Sequence, residues 1–158
     1  MIPEIDVQLA AVIKALGDNV APALDPANPM AAEQLHLAMA TLAIVRQRLP
    51  DLHANLRRDL AEAIALAGRI GAASGAAEAV LASPESSAQR LESEVRALKE
   101  AITARIDAVR GTADEARVAR AVMDAAQGPI LRWRSWASGM GFEPDPAAVP
   151  PLADLLAG

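Results

Sequence analysis

The chain has no cysteine, no tyrosine, a single phenylalanine and two tryptophans. Without cysteine there is no disulfide, no thiolate nucleophile and no cysteine-held metal, and folding needs no oxidising compartment. So few aromatic residues, with little threonine, would starve a sheet of its usual formers. Long apolar runs are also missing. The longest, LAMATLAIV at residues 37–45, is closed in by His36 and Arg46 and falls far short of the ~20 residues a bilayer span needs. The opening MIPEIDVQLAAVIK has no basic start, so a leader peptide is not expected. Positive charge is not in surplus either. The net charge of −5 argues against nucleic acid and anionic membranes as partners, since both require a basic face. A soluble cytoplasmic protein is the expectation.

What is present is alanine, leucine, valine and isoleucine, which supply nearly all of a 53% hydrophobic content. Alanine is the strongest helix former and leucine, arginine, glutamate and glutamine follow it, so the fold class expected is all-α. A first helix should run from Pro3 to about Ala21 on the stripe Ile5, Leu9, Val12, Ile13, Leu16 and Val20. PALDPANP (residues 22–29) breaks it. The second helix, Met30 to Leu49, is apolar around much of its circumference and is expected to be central. Pro50 and Asp51 then start a third, with Leu52, Leu56, Leu60, Ile64 and Ala67 on its core face.

Gly68, Gly71 and Gly75 suggest a break within 71–77, and Ser83-Pro84 marks a second boundary. Ser83, Ser86 and Ser87 then stand where a helix start uses hydroxyls as caps. The fourth helix, Pro84 to Arg110, carries Leu91, Val95, Leu98, Ile102, Ile106 and Val109 at steps of three and four. Thr112 and Glu115 form a capping-box signature for a fifth, with Ala116, Ala119, Val122, Met123 and Ala126 as a small-residue face. Gly128-Pro129 should end it and restart a short tryptophan-containing helix. The architecture expected is an up-and-down bundle of four main helices in a domain spanning 1–138, followed by a proline-rich tail at 139–158.

Catalytic constellations are scarce. Glu33-x-x-His36 has the i,i+3 spacing of carboxylate-bridged di-metal bundles, but such sites need the motif twice. Three residues before the only other histidine, His53, stands Pro50 rather than glutamate. Glu33 and His36 are therefore weak metal candidates, and no metal centre or cofactor is expected. There is no G-x-S-x-G elbow, no Walker A and no dinucleotide fingerprint. The sequence points to a protein that is not an enzyme.

One stretch gathers all the aromatic residues, GPILRWRSWASGMGFE at 128–143, holding Trp133, Trp136 and Phe142 beside Arg132 and Arg134. Three readings stand open. The tryptophans could plug the bundle while the arginines pair with surface acids. They could anchor a subunit interface, or line a pocket for an acidic or amphipathic ligand.

Val20-x-Pro22-Ala23-Leu24 at the first turn and Leu42-Ala43-Ile44-Val45 on the next helix give residues 5–49 a likeness to a known family. They resemble the opening hairpin of an uncharacterised bacterial helical family found near, or joined to, aminoglycoside-phosphotransferase-like kinases. The resemblance implies an accessory helical domain and brings no catalytic residues with it. Taken together, the sequence leads one to expect a helical bundle working through protein contacts, as a homodimer or accessory subunit. The alternative is a small-molecule site near Trp133 and Trp136.

Overall fold

The helix-forming composition is realised throughout: the computed structural model describes residues 4–141 and 143–157 and places no strand among them. The fold is all-α. No helix among the described residues is long and apolar enough to cross a membrane. The helices group into two compact units, Met1–Pro50 with Ala137–Pro144, and Asp51–Trp136 with Asp145–Gly158.

The first unit is a hairpin of α1 (Ile5–Ala15) and α2 (Pro29–Arg48). From α1 the chain continues through a π-helical turn, Leu16–Val20, into a 3₁₀ turn at Ala21–Ala23. Helix α2 begins where Pro29 takes the first position and the Asn28 side chain accepts from the Ala31 amide at 3.1 Å. The two helices are antiparallel, since Asp6 near the start of α1 meets Arg46 near the end of α2. The Arg46 Nε donates to Asp6 Oδ1 at 2.7 Å and its Nη2 to Oδ2 at 3.0 Å. That fork holds the Asp6 carboxyl below the ordinary aspartate range and raises Arg46, mainly through the hydrogen bond itself. Leu9 and Ile13 of α1 and Leu16 of the π turn are half-buried, as are Leu35, Met39 and Leu42 on α2. Neither helix contains a buried residue. The expectation that α2 is central is thereby corrected. A two-helix hairpin covers one stripe per helix, and the other apolar positions of α2 are left outside that stripe.

The second unit holds α3 (Leu52–Ile70), α4 (Gly75–Ala82), α5 (Ala88–Ala108), α6 (Glu115–Ala137) and the short α7 (Leu152–Leu156). Helix α3 stops where Gly71 turns left-handed at φ 73°, a conformation glycine adopts without penalty. The break expected in 71–77 falls there. Arg57 of α3 donates to the carbonyls of Ser83 and Leu81 at 3.0 and 2.6 Å, tying the end of α4 to the start of α3. Serine hydroxyls organise the turn that follows: Ser86 donates to the Val80 carbonyl at 2.8 Å, and Ser87 accepts from the Arg90 amide at 3.2 Å.

Because α4 returns the chain, α5 runs in the same direction as α3, with His53 beside Ser86 at one end and Arg105 on the Ile70 carbonyl at the other. Helix α6 runs back against α3, its Arg117 reaching the Arg69 carbonyl at 3.0 Å. The core lies here. Leu60, Ala67 and Ile70 of α3 pack with Leu91, Leu98 and Ile102 of α5, and Val109 and Val118 close one end. A fully covered leucine such as Leu60 or Leu91 contributes about 1.5–3 kcal/mol. The segment expected as a tail carries α7, which packs on α3 with Leu152 buried.

Two expectations about the α6 region are overturned. The Gly128-Pro129 step does not restart a helix: α6 is continuous from Glu115 to Ala137, with Pro129 inside it. Its covered face is Val118, Ala121, Val122, Ala125 and Ala126, leaving Met123 73% exposed and Ala116 and Ala119 outside. Continuity supplies the reason. The steps of three and four that begin at Val118 run on through Pro129 to Arg132, so the register is set beyond the point where the helix was expected to stop.

Candidate functional site

Arg132 is the least solvent-exposed charged residue described, at 4% of its surface. All three of its nitrogen positions are used. The Nε donates to Asn55 Oδ1 at 3.0 Å, Nη1 to Glu62 Oε1 at 2.7 Å, and Nη2 to Asp59. The three acceptors stand at i, i+4 and i+7 of α3, so one helical face presents them together. Two further cations complete the cluster: Arg58 Nε reaches Glu62 Oε1 at 3.0 Å and Lys99 Nζ reaches Asp59 Oδ2 at 3.2 Å. Two carboxylates therefore sit among three cations. Glu62 Oε2 is withdrawn from solvent and accepts no hydrogen bond.

Gly128 leaves room on α6 for the Glu62 carboxylate. A Cβ built there would stand 3.3 Å from Glu62 Oε1, tighter than carbon and a fixed carboxylate ordinarily come. The proline that follows forfeits one backbone hydrogen bond, at about 3 kcal/mol in a helix interior, and one turn later the Arg132 fork ties α6 to α3. Pairing a planar guanidinium with two carboxylates and an amide oxygen is geometry that arginine provides and lysine does not.

Arg132, Trp133 and Trp136 are brought together, lining a cavity of about 230 Å³ with Asn55, Asp59 and Pro129. Arg134 is half-buried and does not line it. Phe142 lies outside the described residues. Trp133 is 67% exposed and so does not plug the core, while Trp136 is half-buried. An acidic ligand here would have to compete for Arg132 with two resident carboxylates. Glu33 and His36 stand exposed on α2, and no group of three or more histidine, cysteine, aspartate or glutamate side chains is placed to hold a metal among the described residues.

A second cavity, of about 390 Å³, lies between α3, α5 and α6. Its walls are mainly apolar, including Leu66, Ile102, Val122 and Ala126, and Asp59, Glu62, Lys99 and Thr103 supply the polar part. Neither cavity is lined by histidine, serine or cysteine. Asn55, Asp59, Glu62 and Lys99 are residues that reading the sequence did not single out. The only trace they leave is the i, i+4, i+7 spacing of three acceptors on a helix otherwise read for its leucines. Compared with family models, with curated proteins and with solved structures, the chain matches none.

Proposed function

We infer that this chain is a non-catalytic helical module that works by docking to protein through the apolar faces of its α1–α2 hairpin. The carrying observation is that neither helix of the hairpin buries a residue, although both have apolar stripes. Ile5 is 62% exposed and Met30 63%, with Val7, Val12, Leu37 and Val45 also open to solvent. Met30, Leu37 and Ile44 recur every seven residues along α2, the spacing by which one helix seats against another. Large exposed apolar patches mark contact sites on soluble proteins. The Arg132 cluster serves this reading as a rigid tie within its own unit rather than as a reaction centre.

A second copy of the chain is the first occupant to test, and an accessory role beside a larger protein is the other form of the same reading. A cysteine-free chain suits the reducing cytoplasm, where such modules work. Light scattering coupled to size exclusion should give a mass above the 16.4 kDa of one chain, rising with concentration. Leu37→Glu should return it to one chain without loss of helical circular dichroism. A 16.4 kDa species at every concentration, or an assembly indifferent to Leu37→Glu, would reject self-association through this face.

A further inference from the structure

Helix α6 carries an apolar seam outside its covered face. Ala116, Met123 and Ile130 recur every seven residues along it, and Ala119, Ala126 and Trp133 recur likewise, each three residues further on. That is the a and d spacing by which one helix seats against another. Ala116 and Ala119 are exposed and Ala126 is half-buried, while Met123, Ile130 and Trp133 are exposed at 73%, 57% and 67%. None of these side chains is charged. Size is distributed unevenly along the seam: alanines at its start, methionine beside alanine in the middle, isoleucine and tryptophan at its end.

We propose that α6 pairs with α6 of a second copy, antiparallel, along this seam. Reversing the second helix sets each a position opposite a d position. With the register centred between Met123 and Ala126, Ala116 faces Trp133 of the second copy, Ala119 faces Ile130, and Met123 faces Ala126. Two-fold symmetry repeats these pairings in reverse. Every layer then joins one alanine to one large side chain, so that knobs and gaps interlock. A parallel pair would instead set alanine on alanine at Ala116, Ala119 and Ala126 and tryptophan on tryptophan at Trp133, leaving voids beside a collision. The gradient of size thus selects both the occupant and its direction. A different helix would need the same gradient reversed, which a second copy supplies by symmetry. The contact uses none of the hairpin residues and does not depend on hairpin docking. At about two and a half heptads the seam is short for a helix pair, so pairing is expected at higher concentration than hairpin docking.

Both tryptophans lie on α6 and none on the hairpin, so indole emission of the full chain reports this contact directly. Covering Trp133 should move the emission maximum to shorter wavelength as concentration rises toward about 1 mM, in the unmodified chain and in Leu37→Glu alike. Ala119→Ile sets isoleucine against isoleucine, and Ile130→Ala sets alanine against alanine. Each should weaken pairing roughly tenfold or more and remove most of the shift. The double variant exchanges the two sizes within one layer and should recover the shift. Residues 119 and 130 stand about 16 Å apart along one helix, too far to compensate within a single chain, so recovery requires the antiparallel pair. All three variants change exposed positions, and circular dichroism checks that they stay helical. No concentration-dependent shift up to about 1 mM overturns the proposal, leaving the seam to a different protein or to solvent. A shift that Leu37→Glu abolishes also overturns it, by tracing the change to the hairpin. So does a folded double variant that pairs no better than the weaker single variant.

Discussion

Removing the Arg132 side chain should be among the most damaging single changes available to this protein. In Arg132→Met the hydrocarbon stem is kept and the guanidinium lost, so Asn55, Asp59 and Glu62 lose their shared donor. Breaking a buried ion pair from one side costs about 3–5 kcal/mol. Here the carboxylates retain 27% and 23% of their side-chain exposure, and Lys99 and Arg58 remain as partial partners. The lower end, about 3 kcal/mol, is therefore expected. For a chain of this length that corresponds to a fall in Tm of about 6–12 °C. Urea unfolding followed by tryptophan fluorescence reports on the right place, because Trp133 and Trp136 flank the cluster on α6. Arg132→Lys should recover only part of the loss, since an ammonium cannot fork to three acceptors. Adding Glu62→Gln and Asp59→Asn to Arg132→Met should restore stability by removing the uncompensated charge. A loss below about 0.5 kcal/mol, the range of ordinary surface changes, would refute the view that this cluster holds α6 against α3.

Two other perturbations follow from the same contacts. Gly128→Ala should destabilise by about 1 kcal/mol even though alanine gains about that much in helix propensity, because Glu62 Oε1 is pinned by two arginines and cannot yield. In a Glu62→Ala background the same change should stabilise, and chemical denaturation measures both signs. For the hairpin, the Asp6 carboxyl is held below its unfolded value by Arg46. Its contribution is therefore present above the unfolded pKa of about 3.9 and is lost as pH falls through the lower folded value. Amide exchange in α1 should quicken below about pH 4 relative to Arg46→Gln, in which that acid sensitivity should be absent.

Much of the helical plan was legible because it rests on local signals. The stripe Leu91, Val95, Leu98 and Ile102 is buried as its spacing requires, and Ser87 caps α5 as serines at a helix start do. The break at Gly71 was likewise written in a residue whose backbone freedom the turn uses. What could not be read depends on partners far along the chain. Gly128-Pro129 has the local signature of a helix end, and only the α3 acceptors, some seventy residues earlier, make a continuous helix the better arrangement. Arg132 was noticed for its tryptophan neighbours, whereas its chemistry comes from Asn55, Asp59 and Glu62. The apolar circumference of α2 suggested a buried helix. Hydrophobicity alone does not say which apolar positions a helix covers, and on α2 Met30, Leu37 and Val45 stay exposed.

The hairpin unit is completed by a piece of chain made much later, since Gly139 lies against Gln47 of α2, with 3.5 Å between a built Cβ and Gln47 Oε1. During synthesis the hairpin therefore emerges long before the segment that finishes its unit. At the usual pace of about 5–20 residues per second, it waits several seconds with its apolar sides open. Those faces are therefore first open to contact on the ribosome, before the rest of the chain has been made.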